Sequence, residues 1–440
     1  MSGLELSILA FAIMLVAIFL RIPIGVSMGF TGFIGTWIVL GTPNAVLSQL
    51  KSLTYDTFAS YSLSIVPMFL LMGQFATKSG MSRALFRAAA DWVGHRKGGM
   101  AIAAVGSCAG FGAVCGSSLA TASTMGQVAL PEMRRYGFSD ALSTGVLAAG
   151  GTLGILIPPS VILVIYAIIT EQNIVKMFMA AMIPGILAAL GYMLVVMIYV
   201  RIAPDSAKTA PRVPYPERWR NLIAIWPVVI IFLTVIGGIY AGIFTPTEGA
   251  AVGAIGTGLY GLISRNLDKS GFLESILATA SATGMIFFII FGAQIFNAFL
   301  ALTQTPQGLA AWVGDQGFAP MMVMVAMLVL YLIFGCIMDS LSMILLTIPI
   351  FFPIIMALDF GMPAEEVAIW FGILALIVVE VGLITPPVGM NLFIIHSLAK
   401  DIPIVETYKG VAPFVISDII RVGILLAFPS ITLWLVRVMF

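Results

Sequence analysis

Two long apolar runs in this chain are each interrupted by a pair of prolines. Residues 142–170 carry no charged side chain and contain Gly150-Gly151-Thr152-Leu153-Gly154-Ile155-Leu156-Ile157-Pro158-Pro159. Residues 367–399 contain Val381-Gly382-Leu383-Ile384-Thr385-Pro386-Pro387. Proline lacks the N–H a helix needs and its ring clashes with the preceding turn, so two in succession stop a helix. In water the carbonyls so released are hydrated. In hydrocarbon they need another partner.

Composition decides which solvent applies. Of 440 residues, 60% are hydrophobic and 9% charged, against about 25% charged in soluble domains. Mean hydropathy of +1.09 points the same way. The chain reads as an all-α polytopic membrane protein. Spans are expected at about 4–20, 22–40, 58–76, 142–170, 177–200, 222–243, 247–263, 276–302, 367–399 and 411–436. The first charge is Glu5 rather than a basic cluster, so the first apolar run is expected to be a retained span and not a cleaved signal.

Several function classes drop out. A net charge of +1 without a basic, aromatic-interleaved tract excludes nucleic acid as a partner. No lysine follows a glycine, so there is no phosphate-binding GxxxxGK[ST] loop and no ATP hydrolysis by this chain. Cys108, Cys115 and Cys336 lack CxxC spacing and read as buried thiols.

The apolar stretches about 98–133 and 321–356 are broken by Gly, Ser or Asp near their middles. The first is flanked by basic segments (Lys78, Arg83, Arg87, Arg96 and Lys97 before it, Arg134 and Arg135 after it). The second is flanked by segments with Asp315, Asp359, Glu365 and Glu366 and no Lys or Arg. Cytoplasmic loops concentrate Lys and Arg, so each stretch is expected to enter and leave on one side, as re-entrant hairpins from opposite faces. With ten crossings and both termini outside, 17 of the 21 basic residues fall on the cytoplasmic side; Lys51, Lys176 and Arg437 fall outside and Arg421 within a span.

The chain is written twice. Gly154…Pro158-Pro159 matches Gly382…Pro386-Pro387 at an offset of 228. Pro23…Gly25…Gly29…Gly32 matches Pro246…Gly249…Gly253…Gly256 at 223 to 224, and Gly112…Ser117 matches Gly335…Ser340 at 223. Each half holds five crossings, a hairpin and a broken helix. Five being odd, the halves are expected as inverted-topology repeats, 1–203 and 222–440, joined by a basic, proline-rich cytoplasmic linker, 204–221. Inverted repeats suit alternating access in secondary transporters.

Released carbonyls at the breaks and hydroxyls at the hairpin tips (Ser117, Ser118, Thr121, Ser123 and Thr124 in the first; Asp339, Ser340 and Ser342 in the second) make hard oxygen sites suited to Na⁺ or Li⁺. The half-helix after each break presents free N–H groups to an anion. The alternative is that these residues satisfy helix carbonyls and pack closely. Five charged residues are weighed separately. Asp339 at a tip reads as a functional intramembrane carboxylate. Glu380 acts in the site or holds helix ends, and Glu248 does so or caps its helix. Asp418 and Arg421, three apart, form an ion pair unless Arg421 faces an anionic substrate. An intramembrane hydrolase using Ser117 is disfavoured because His396, beyond the second break, lies far from the first tip. A channel is disfavoured because it needs a continuous polar pore.

Gly112-Ala-Val-Cys-Gly-Ser-Ser-Leu-Ala-Thr121, Leu153-Gly-Ile-Leu-Ile-Pro-Pro159, Gly242-Ile-Phe-Thr-Pro-Thr-Glu248 and Thr385-Pro-Pro-Val-Gly-Met-Asn-Leu392 occur in that order. They resemble the large permease subunit of the tripartite ATP-independent periplasmic (TRAP) transporters, the DctM family. The resemblance implies a bacterial inner-membrane carrier, Na⁺-coupled and of elevator type, for a carboxylate-bearing substrate such as a C4-dicarboxylate or sialic acid. It implies two partners, a small integral membrane subunit and a periplasmic substrate-binding protein; a stand-alone Na⁺/anion symporter of related fold is the alternative. By the same resemblance the cation ligands are Ser117, Ser118, Gly151 and Gly154 in the first half. In the second they are Asp339, Ser340, Gly382, Thr385 and the Val388 carbonyl. Thr121, Thr124, Pro158, Pro386, Asn391, Glu248, Glu380 and Arg421 are further substrate-binding or structural candidates. The chain departs from the family pattern at Cys115, where Ser is common, and at Gly249, where Ala is common.

Overall fold

The computed structural model describes residues 3–440, and among them the regular structure is entirely helical. The first half contains α1 (Gly3–Phe19), α2 (Ile24–Leu40), α3 (Pro43–Phe58), α4 (Ile65–Lys78), α5 (Met81–Val93), α6 (Gly99–Cys115), α7 (Ser118–Arg135), α8 (Asp140–Leu156), α9 (Val161–Ile169) and α10 (Ile174–Ile202). The second contains α11 (Tyr215–Tyr240), α12 (Pro246–Ile263), α13 (Lys269–Leu302), α14 (Thr305–Asp315), α15 (Pro320–Gly335), α16 (Ser340–Met356), α17 (Ala364–Gly382), α18 (Met390–Leu398), α19 (Ile404–Ala427) and α20 (Pro429–Met439).

Four helices, α10, α11, α13 and α19, are individually long and apolar enough to cross a membrane. Two bent pairs also reach that length: α3 with Ser62–Lys78, bent by 50°, and α8 with α9, bent by 44°. The two interrupted stretches are helical hairpins, α6–α7 and α15–α16, and the two double prolines fall between α8 and α9 and between α17 and α18.

Three helices lie where the apolar runs gave only connections: α3, α5 and α14. Each mixes polar with apolar residues, so a hydropathy reading passes over it. Local signals start α3: Pro43 occupies its first turn and the Thr42 hydroxyl accepts from the Asn44 N–H at 3.2 Å. The expected last span, 411–436, is two helices, because Pro429 restarts the chain after Phe428.

Glycines let the frame helices approach to backbone contact. A Cβ on Gly32 of α2 would lie 2.7 Å from the Phe296 backbone of α13, and one on Gly292 would lie 2.2 Å from the Gly25 carbonyl oxygen. On α12, a Cβ at Gly253 or Gly258 would meet Met72 or the Phe75 ring of α4. The second helix of each half thus packs against the third segment of the other.

Polar contacts sort the connections into two groups. Lys78 pairs with Glu274, Arg134 bonds Asp401 at 2.8 Å, the Ala210 N–H donates to the Gly94 carbonyl, and Asn221 bonds Asp91. Elsewhere Lys176 bonds Glu365 at 2.6 Å and Arg437 grips Glu366 with two nitrogens. Two of the three basic residues that broke the charge pattern are therefore spent on the acidic segment around 357–366. The core runs between these groups, and α8 is buried from Ala141 to Leu156.

Candidate ion and substrate site at the hairpin tips

Each tip is built by a helix cap. Gly116 ends α6 with φ +67°, a conformation that favours glycine, and Ser117 caps α7, its hydroxyl accepting from the Ala120 N–H at 3.4 Å. At the second tip Asp339 caps α16. Its carboxylate accepts from the Ser342 N–H at 3.0 Å and from the Ser342 hydroxyl. The caps align Ser117 with Asp339 and Ser118 with Ser340. This is one residue off the sequence pairing of Ser117 with Ser340, because the first tip has one residue more between its glycine and its cap.

Each tip sits on the break of its own half. A Cβ on Gly112 would fall 2.5 Å from the Gly154 Cα, and one on Gly382 would fall 2.5 Å from the Gly335 carbonyl carbon. A Cβ on Gly154 would also fall 2.3 Å from Thr121 Oγ1 and 2.6 Å from the Ser117 carbonyl oxygen. Ser117, Thr121 and Gly154 therefore share one point in space, and Gly116 adjoins the Pro159 carbonyl. Across the second break the Gly389 N–H donates to the Cys336 carbonyl at 3.1 Å.

The released carbonyls follow from the prolines. The last α8 bond is from Ile157 N–H to Leu153. Pro158 and Pro159 have no N–H for Gly154 and Ile155. At the second break Thr385 N–H reaches Gly382 and Asn391 N–H reaches Leu383, so more of its carbonyls are taken. Ser160 caps the half-helix α9 and Gly389 precedes α18.

Several buried polar atoms at this junction make no hydrogen bond: Ser118 Oγ, Thr121 Oγ1, one Glu380 oxygen and the Asn391 Oδ1. Glu380, buried at 1% exposure, accepts from the Ser340 hydroxyl at 2.7 Å and lies within electrostatic reach of Ser118. The equivalent serines of both tips thus converge on one carboxylate. Asn391 crosses between halves, donating to the Ala148 carbonyl at 3.2 Å beside Gly151. Thr124 is buried one turn beyond Thr121. Thr385 donates its hydroxyl to the Val381 carbonyl at 2.6 Å, with its oxygen lone pairs still available. Pro386 is exposed and Val388 half-buried, whereas Gly151, Gly154 and Pro158 are buried.

Two candidates lie apart from the tips. Glu248 is exposed and completes a capping box on α12: it accepts from the Thr245 N–H at 2.8 Å while its own N–H donates to the Thr245 hydroxyl at 3.3 Å. Arg421 pairs with Asp418 at 2.8 Å. Asp418 also accepts from the Tyr192 hydroxyl at 2.7 Å, which meets Thr152 at 3.0 Å. This chain from α19 through α10 to α8 was not foreseen as a unit. The sequence pairs Asp418 with Arg421 but does not bring in Tyr192 or Thr152, for which the one signal is a tyrosine hydroxyl within an apolar span. All three cysteines are buried and unbridged.

Residues 11–431 match the family described as "Tripartite ATP-independent periplasmic transporter, DctM component". The chain belongs to that family. Among TRAP large permeases, the "C4-dicarboxylate TRAP transporter large permease protein DctM" of Pseudomonas aeruginosa is 37% identical over 409 residues, 92% of this chain and 93% of that one. The sialic acid permease SiaM of Vibrio cholerae is 30% identical over 419 residues, 95% of each chain. The ectoine permease TeaC of Halomonas elongata is 29% identical over 429 residues, 96% of this chain and 97% of its own. In fold, the chain is similar to the YdaH transporter of Alcanivorax borkumensis, with a TM-score of 0.65 at 15% identity, over 88% of this chain and 89% of that one.

Proposed function

We propose that this TRAP large permease is the membrane carrier of a Na⁺-coupled, binding-protein-dependent importer of carboxylate-bearing solutes in the bacterial inner membrane. The observation that carries the reading is the repeated contact of a hairpin-tip glycine with a broken-helix glycine, Gly112 with Gly154 and Gly335 with Gly382. Each contact brings hydroxyls, released carbonyls and a half-helix N-terminus to one place. Na⁺, as co-transported cargo, fits the first set (Ser117, Ser118, Gly151 and Gly154) and the second (Asp339, Ser340, Gly382, Thr385 and Val388). Hard oxygen donors match a hard cation, and the N–H groups opening α9 and α18 favour a carboxylate nearby.

Two inverted repeats of five crossings, exchanging conformations, supply an elevator-type alternating access. The grouping of the connections supports this topology, since Lys176 and Arg437 join the acidic segment and the basic segments contact one another. A C4-dicarboxylate is the favoured substrate on the strength of the 37% identity to a permease of that name. The partners are a small integral membrane subunit and a periplasmic substrate-binding protein.

The test is uptake by the reconstituted assembly, with its small subunit and binding protein, under imposed gradients. Uptake of a C4-dicarboxylate is expected to require Na⁺ and to saturate; undiminished uptake with K⁺ in place of Na⁺, driven by pH alone, overturns the coupling. Cysteine labelling is expected to place 201–220 inside and 357–366 outside; labelling from one face overturns the inverted repeat.

A further inference from the structure

Where α5 ends and α11 begins, three buried side-chain nitrogens, on Arg218, Trp92 and His95, have no hydrogen-bond partner. Arg218 is only 3% exposed, and its Nε donates to the Val213 carbonyl at 2.8 Å while its Nη2 has no partner. Trp92 Nε1 and His95 Nδ1 are likewise buried and unpartnered. The Trp92 ring packs edge-on against Trp219, next to Arg218 in sequence, with centroids 5.3 Å apart. His95 lies in the field of Arg218, Arg212 and Arg96. An indole N–H and a guanidinium only donate, and an unsatisfied buried donor is costly.

The nearby carboxylates are engaged elsewhere. Glu217 lies 3.4 Å from Arg87 and 3.8 Å from Arg220, and Asp91 accepts from Asn221. The cluster gathers positive charge and unpartnered nitrogens that neither carboxylate meets, with the Arg218 guanidinium lying over the Tyr215 ring at 5.0 Å.

A track for hydrocarbon leads away from it. Trp219, Ile223, Trp226, Ile230 and Leu233 are all exposed, and their spacing places them on one face of α11. Tryptophans at the head of such a face mark a membrane interface.

We propose that these donors bind the phosphate of an anionic phospholipid whose acyl chains lie along the exposed face of α11. Trp92, His95 and Arg218 supply hydrogen bonds to phosphate oxygens, and Arg96 and Arg212 supply charge, as in other basic headgroup sites beside transmembrane helices. The bound lipid joins the end of α5 to the start of α11, pinning the linker between the halves. The inference is independent of the transport reading.

Native mass spectrometry of the full-length protein, stripped of lipid in detergent and titrated with phosphatidylglycerol, phosphatidylcholine or inorganic phosphate, tests it. One phosphatidylglycerol is expected to be retained about tenfold more tightly than phosphatidylcholine, which offers the same phosphate but carries a choline cation that Arg96, Arg212 and Arg218 repel. Arg218→Met is expected to abolish that preference. Trp92→Phe keeps the ring against Trp219 and removes the N–H, and is expected to weaken retention several-fold in a protein that still folds. Equal retention of the two lipids, or unchanged retention in Trp92→Phe, overturns the site. Displacement of the lipid by millimolar inorganic phosphate would show a small-anion site and overturn the lipid assignment.

Discussion

Gly112 and Gly154 meet backbone to backbone, with 2.5 Å between a Cβ built on the first and the Cα of the second. The contact recurs between Gly335 and Gly382, some 220 residues later. A methyl group on Gly112 would meet the Gly154 main chain and one on Gly154 the Ser117 carbonyl, and main-chain atoms cannot swing away. The tip is held against the break by the absence of side chains.

Gly154→Ala is therefore expected to push the tip off the break, since the new methyl would fall on Thr121 Oγ1 and the Ser117 carbonyl. Overpacking of this kind costs about 1–3 kcal/mol. On the proposed Na⁺ coupling, uptake should need a higher Na⁺ concentration, while Gly106→Ala, on the hairpin helix α6 with its Cβ 3.5 Å from Met193, should behave as wild type.

Thr385→Val keeps shape and removes a hydroxyl. Its first-half counterpart, Ile157, has none, so a double proline does not itself require one. With a ligand role for Thr385, losing its oxygen costs about 1–3 kcal/mol, which at about 1.4 kcal/mol per decade weakens apparent Na⁺ affinity about 5- to 150-fold. Ile157→Val should leave Na⁺ dependence unchanged. Wild-type Na⁺ dependence of Thr385→Val would leave the bond to Val381 as the hydroxyl's whole role.

Glu380→Gln retains an acceptor for Ser340, and Glu380→Leu does not. The Leu variant is expected to lose about 1–3 kcal/mol of stability, read as earlier thermal unfolding in detergent, with the Gln variant close to wild type. Equal unfolding of the two would show that the Ser340 bond contributes nothing to holding the second tip.

Arg421→Met should destabilise the fold by about 3–5 kcal/mol, because it strands Asp418 as an unpaired buried charge. The double change Arg421→Met with Asp418→Leu should recover most of that loss. Should the double variant fold well yet lose substrate affinity alone, Arg421 serves the substrate rather than the pair.

Burial, and then the charges of Arg218, Arg212 and Arg96, hold the His95 pKa below its ordinary value. The folded state therefore binds fewer protons than the unfolded state in the imidazole range. His95's contribution to stability is present above the unfolded pKa and is lost as pH falls through the folded one. Thermal unfolding of lipid-free protein at pH 5 and pH 7.5 should show this dependence, and His95→Gln should reduce it.

Much of this was legible in one chain because glycine, proline and charge act locally. Pro158-Pro159 and Pro386-Pro387 mark the breaks, the glycines at 112 and 335 mark the hairpins, and the basic residues separate two groups of connections. Thr245-Pro-Thr-Glu248 carries the spacing of a capping box, and the structure uses Glu248 that way. What stayed hidden depends on partners distant in sequence. Nothing around Ser118 says that it faces Glu380, and nothing around Tyr192 names Asp418. The amphipathic helices α3, α5 and α14 were invisible to a reading of apolar runs, because only their packing partners decide which face is buried.

The two breaks differ in one respect that reaches beyond ligand chemistry. Every residue from Gly151 to Ser160 is buried, whereas Pro386 and Pro387 are exposed, beside the Tyr408 hydroxyl that bonds the Pro387 carbonyl at 3.0 Å. One duplicated device is thus shut in one copy and ajar in the other. On the proposed alternating access, a cysteine placed at 386 is expected to meet a water-borne thiol reagent, and one at 158 to be passed over until the chain rearranges. The ratio of the two labelling rates is a clock for that rearrangement, read from the protein alone and without any solute crossing the membrane.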